Sequence, residues 1–127
     1  MVRMAVRFVI QIHSGCGPTH YDLMLERPEA LATWQVASSP AELAPGGSLA
    51  ARRLGDHRKA YLTYEGPVSG GRGQVAILDA GSYEPVASAD GRWLVRLAGR
   101  KLRGTFELIR TGECDAWTLT RRADASE

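Results

Sequence analysis

Two histidines and an aspartate, His13, His20 and Asp22, are the residues of this chain best suited to chemistry. Imidazole nitrogens and a carboxylate oxygen together suit Mn²⁺ or Zn²⁺. The spacing, six residues between the histidines and one before the aspartate, is not a general metal signature. His57 is the third and last histidine. Preceded by Asp56, it is placed to be oriented by that carboxylate or to meet a phosphate oxygen, and Tyr61 stands four residues further on. Plainer alternatives stand beside each. His20 and Asp22 could form a hydrogen-bonded pair at a strand start and His13 could cap a turn. His57 could be a surface-loop histidine and Tyr61 a half-buried core tyrosine.

The stretch Phe8–Glu26 must position the first three. It reads as two strands joined by a loop broken by Gly15, Gly17 and Pro18. Residues two apart on a strand share a face. Gln11 and His13 therefore share one face, and His20, Asp22 and Met24 another. Paired, the strands bring two imidazoles and a carboxylate together, near the open end of the hairpin. Phe8, Ile10, Ile12, Tyr21, Leu23 and Leu25 point the other way, towards a core.

Downstream, Ala30–Val36 reads as a third strand, and Ser39–Leu43 as a helical turn with Ser39 as N-cap and Pro40 at its first position. Ala50–Tyr64 has no clear period. Gly66–Gly73 is dense in glycine, which marks either a mobile loop or a close backbone approach. Strands are predicted at Gln74–Asp79 and, after a turn at Ala80-Gly81, at Ser82–Val86. Further strands follow at Arg92–Leu97, Lys101–Arg110 and Ala116–Arg121. Met1–Arg3 reads as a leading segment and Ala123–Glu127 as a frayed polar tail. About eight short strands with no sustained helical period predict an all-β fold, a compact closed or nearly closed β-barrel. Closure is favoured because it removes exposed edges.

The 127 residues are most simply one domain, 1–127. A net charge of +2 does not by itself demand nucleic acid, but Arg and Lys cluster locally, as at Arg52, Arg53, Arg58 and Lys59. Such clusters mark either phosphate-binding faces or solvated strand edges. Two cysteines far apart, Cys16 and Cys114, fit a reducing cytoplasm better than a disulfide. The N-terminal stretch lacks the apolar run of a signal peptide, and no segment approaches the roughly 20 apolar residues of a membrane span.

At this point the residues carry a resemblance. Gln11-Ile12-His13 followed by His20-Tyr21-Asp22-Leu23-Met24-Leu25-Glu26 resembles the metal-binding signature of the 3′-phosphoesterase domain of bacterial DNA ligase D. So do Trp34, Asp56-His57 with Tyr61, the run Tyr64–Gly73, Asp79–Pro85 and Gly99–Gly104. The motifs cover nearly the whole chain in order, and the match is nearest to small stand-alone relatives. The resemblance implies a compact β-barrel and Mn²⁺-dependent removal of a 3′-terminal ribonucleoside, then of a 3′-phosphate, from DNA or RNA-DNA ends in repair by non-homologous end joining. Carried over, His13, His20 and Asp22 would hold the metal, Gln11 would support that site, and His57 and Tyr61 would contact the scissile phosphate. A protonated His57 could act there as general acid.

This chain also departs from the pattern. Met24 stands where ligase-attached members carry an arginine, and a serine near Ser38 where they carry a lysine. The spacing from His13 to His20 is one residue longer, and the segment before Asp56 is shorter. An arginine expected in that segment has Arg52 and Arg53 as its candidate replacements, with Arg58, Lys59 and Arg72 as further cations. Phosphoryl transfer leans on such charges. The expected function is therefore a metal-dependent phosphoesterase, with a metal-bearing DNA-end-binding or partner-binding module as its rival and a small-metabolite phosphoesterase as a weaker one. The expected setting is a cytoplasmic monomer serving a separate DNA ligase or polymerase.

Overall fold

A computed structural model describes residues 6–123. Met1–Arg3 and tail residues 124–127 lie outside them. The described residues are all-β: β1 (Val6–Ser14), β2 (His20–Glu26), β3 (Leu31–Val36), β4 (Ser48–His57), β5 (Gly66–Pro67), β6 (Gln74–Ala89), β7 (Arg92–Gly99), β8 (Arg103–Arg110) and β9 (Ala116–Arg121). Antiparallel pairing runs β1-β2-β3-β4-β9-β8-β7-β6, and β6 pairs back onto β1. Eight strands thus close a ring, the nearly closed sheet expected, and β5 adds to the start of β6. None of the described residues forms a helix long and apolar enough to cross a membrane.

Period-two alternation divides the sheet into an inside and an outside. Inside lie Phe8, Ile10, Leu23, Leu25, Trp34, Leu97, Phe106 and Leu108, all buried. Trp34 meets Trp93 and Trp117 edge to face, at 5.1 and 5.6 Å between ring centroids. Tyr21 packs on this core only in part, and Ile12 is half-buried near the end of the ring. Outside, a second apolar cluster of Val9, Met24, Leu31 and Leu62 is covered by a 3₁₀ helix, Lys59–Leu62.

Several boundaries differ from expectation. The region without a clear period holds that 3₁₀ helix and most of β4, which begins before it at Ser48. The segment 74–89 is one strand of 16 residues, not two strands around a turn at Ala80-Gly81. A register shift between Pro85 and Ala87 accommodates the proline within the strand. Further on, β7 runs to Gly99 rather than Leu97, and β8 begins at Arg103 rather than Lys101. The backbone N–H groups of Arg100, Lys101 and Leu102 instead donate to the buried Asp79 carboxylate, at 2.9, 3.1 and 2.8 Å. A Cβ on Gly99 would sit 2.4 Å from Asp79 Oδ2, so this close approach requires glycine. The turn at Ser39 forms as read: Pro40–Glu42 is a 3₁₀ helix whose Ala41 N–H donates to Ser39 Oγ.

Candidate functional site

The β1–β2 register puts His13 opposite His20 and Gln11 opposite Asp22. All four therefore share one face, the outer one. The pair His13–His20 adjoins the loop joining the strands, so the group forms at the closed end of the hairpin and not at its open end. Pairing proceeds outward from the loop, and the loop-proximal residues are the ones that meet.

One ligand atom from each of His13, His20 and Asp22 lies within 4.8 Å of the others, close enough to hold a metal ion. The imidazole rings are 4.7 Å apart. His20 Nε2 stands 3.6 Å from Asp22 Oδ1, too long for a hydrogen bond, and that oxygen is buried with no hydrogen-bond partner. Burial raises the Asp22 pKa, while His20, His57 and His13 pull it down. A buried carboxylate oxygen left unpartnered is costly, and a cation between these three side chains would satisfy it. The donor set thus fits a divalent metal better than a hydrogen-bonded His–Asp pair.

The glycine-rich loop fixes His13. Its Nε2 lies 2.6 Å from the carbonyl oxygen of Arg72. A carbonyl only accepts, so Nε2 donates and Nδ1 keeps its lone pair, as metal-binding histidines commonly do. The guanidinium of Arg72 closes the same loop on Ser69, with Nε 2.7 Å from its carbonyl oxygen and Nη2 3.2 Å from Oγ. Gly73 follows, where a Cβ would fall 2.0 Å from Ser14 O at φ +80°. Glycine is what lets the loop approach β1.

On the other side, Gln11 Nε2 donates to the carbonyl oxygens of Tyr61 and Tyr64, at 3.0 and 3.1 Å. The buried Gln11 thus ties the segment around the 3₁₀ helix down beside Asp22. His57 ends β4 on the same outer face, its ring 5.7 Å from that of Tyr61 and close enough to Asp22 to lower its pKa. His57 Nδ1 lies 3.0 Å from Gly55 O, so that nitrogen donates and Nε2 is left available. Asp56 does not orient this imidazole; it accepts from Arg53.

The five basic residues scatter. Arg53 lies over the Trp34 ring at 4.5 Å and bonds Asp56. Lys59 donates to Glu26, and Arg72 closes its own loop. Arg58 is exposed with its guanidinium 5.9 Å from the Tyr61 ring. Arg52 occupies a row across four strands, Gln11–Asp22–Gln35–Arg52. It is two strands from Asp22, about 10 Å at ordinary spacing, and lies near Asp115 at 3.9 Å. Gln35, between them on the same face, escaped the sequence reading; the period-two rule would have found it only with the β2–β3 register known. Met24, 1 % exposed, fills the apolar cluster under the 3₁₀ helix, and Ser38 is exposed.

The sequence matches the family model of the DNA Ligase D 3′-phosphoesterase domain over residues 11–110. The multifunctional non-homologous end joining protein LigD of Mycobacterium bovis is 36 % identical over 121 residues, covering 90 % of this chain and 16 % of that protein. The corresponding protein of Pseudomonas aeruginosa is 31 % identical over 130 residues, covering 94 % of this chain and 15 % of its own length. The chain spans about a sixth of the length of these relatives. With the motifs falling in order along one ring of strands, the chain belongs to the DNA ligase D 3′-phosphoesterase domain family.

Proposed function

We propose that this domain is a divalent-metal-dependent phosphoesterase acting on 3′ ends of DNA or RNA-DNA in end-joining repair. It removes a terminal ribonucleoside and then the 3′-phosphate, with Mn²⁺ as the first candidate metal and Zn²⁺ as the second. The observation that carries this reading is the orphaned Asp22 oxygen facing two imidazoles. A divalent ion held by His13, His20 and Asp22 would neutralise a phosphate oxygen and lower the pKa of a water. The chain's own residues do the rest. Gln11 holds the Tyr61 segment in place. His57, with Nδ1–H committed to Gly55, in its protonated form presents Nε2–H to donate a proton to the leaving oxygen or to bind a phosphate oxygen. Tyr61 lies against His57 and supplies a phenol to the same phosphate. Arg52, in the outer row beyond Gln35, is the cation on hand for the strand. A DNA ligase or polymerase would act on the 3′-hydroxyl left behind.

One observation favours a second reading, an end-binding module without turnover. The position of the family arginine is buried methionine, and Arg53, Lys59 and Arg72 are each engaged elsewhere.

Two primer-templates decide between the readings, one ending in a single ribonucleotide and one in a 3′-phosphate, incubated with and without Mn²⁺ beside His20→Ala. Mn²⁺-dependent shortening and dephosphorylation, reduced at least about 100-fold in His20→Ala, are expected. Mn²⁺ binding by calorimetry without turnover leaves the binding module. Neither binding nor turnover rejects the site.

A further inference from the structure

The segment tethered by Gln11 walls a cavity of about 210 Å³ lined by Arg58, Ala60, Tyr61, Tyr64, Pro67 and Ser69. We propose that it receives the 3′-terminal nucleoside released in the first step; this rests on the phosphoesterase reading above. The cavity is joined to the site on two sides. Tyr61 is a shared wall, with the His57 ring 5.7 Å from it and the Tyr64 ring 5.6 Å from it, edge to face. The carbonyls of Tyr61 and Tyr64 hang from Gln11, the cross-strand partner of Asp22. Ser69 is bound to Arg72, whose carbonyl holds His13.

The lining favours a nucleoside over a phosphate. Two phenol rings and a single guanidinium suit a neutral base and sugar, because every base offers a π-face to stack. Ser69 Oγ accepts from Arg72 and keeps its own O–H to donate to a sugar hydroxyl. The volume is below the roughly 300–1,000 Å³ of sites for drug-sized ligands. In the step itself, water adds to phosphorus and the P–O5′ bond breaks. The nucleoside leaves with a 5′-hydroxyl, taking up the proton the water gives up, and the strand keeps the 3′-phosphate. The second step has no nucleoside beyond phosphorus, so it makes no use of the cavity.

This difference between the steps is the test. Rates of ribonucleoside removal and phosphate removal are measured on the two primer-templates for the wild type, Tyr64→Leu, Tyr64→Phe and Arg58→Gln. Tyr64→Leu is expected to lower the ratio of the first rate to the second by about ten-fold or more, mainly through KM, the worth of one base–aromatic stack. Tyr64→Phe, which keeps the ring, restores it. Arg58→Gln, at an exposed position, shifts the ratio in the same direction and carries the test if Tyr64→Leu does not fold. A ratio unchanged in both Tyr64→Leu and Arg58→Gln, including an equal fall in both rates, overturns the cavity assignment while leaving the phosphoesterase reading intact. A wild type inert on both substrates overturns the two together.

Discussion

Two carboxylates on β2 face the same side of the sheet, and their surroundings set them apart. Glu26 accepts from the backbone N–H and guanidinium of Arg7 and from Lys59. Those bonds, that of the Arg7 side chain foremost, hold its pKa down at about 2 against an ordinary 4.5. Asp22 has histidines but an unpartnered oxygen, and burial pushes its pKa up. The first carboxylate is satisfied by protein; the second has one oxygen that no protein group satisfies. For Glu26 the folded state binds the proton more weakly than the unfolded chain. Its contribution is therefore complete above pH 4.5 and is lost as pH falls from 4.5 towards 2. Urea midpoints across that range are expected to fall more steeply for the wild type than for Arg7→Ala. Equal slopes would mean that the Arg7 contact does not hold the Glu26 proton off.

Among the elements, the β1–β2 hairpin was legible because Gln11, His13, His20, Asp22 and Glu26 alternate with apolar residues and its loop is marked by glycine and proline. Its side chains could be sorted into faces from sequence, and chain order alone already put His13 and His20 beside the loop, at the closed end; only the residue-by-residue register waited for the structure. By contrast β4 was hidden. Arg52, Arg53 and Gly55 break the alternation, and its outward Arg52 and His57 meet Asp115 and Tyr61 of the 3₁₀ helix rather than a uniform solvent. The length of β6 was masked by Gly81 and Pro85, residues that punctuate most strands but here serve a close backbone approach and a register shift. At its centre Asp79 accepts four backbone N–H groups, from Ala80 and from Arg100 to Leu102. Asp79→Ala leaves those donors without their charged partner. Since such bonds are worth about 1.5–3 kcal/mol each and do not add fully, a loss of about 3 kcal/mol or more is expected in urea unfolding. A loss below about 1 kcal/mol would show that water replaces the carboxylate freely.

At the scale of the molecule, closure of β6 onto β1 joins both ends of the sheet around one core. Trp34, fully buried between Trp93 and Trp117, stands in that core. Trp34→Ala is expected to cost about 3–5 kcal/mol. The wild-type chain should unfold in one transition, with tryptophan fluorescence and far-UV circular dichroism coinciding; two separated transitions would argue for more than one cooperative unit. What the sequence by itself determined was local. Alternation marked most strands and their core faces, and residue type singled out His13, His20 and Asp22 as a group whose donor atoms suit a divalent metal. Tertiary structure alone decided that the group sits outside the ring beside a 3₁₀ helix, that Met24 is packing, and that Arg53 turns to Trp34. It also decided that Gln11 tethers residues 50 and 53 positions away. Contacts of that separation depend on register and on ring closure. No window of a few residues contains them.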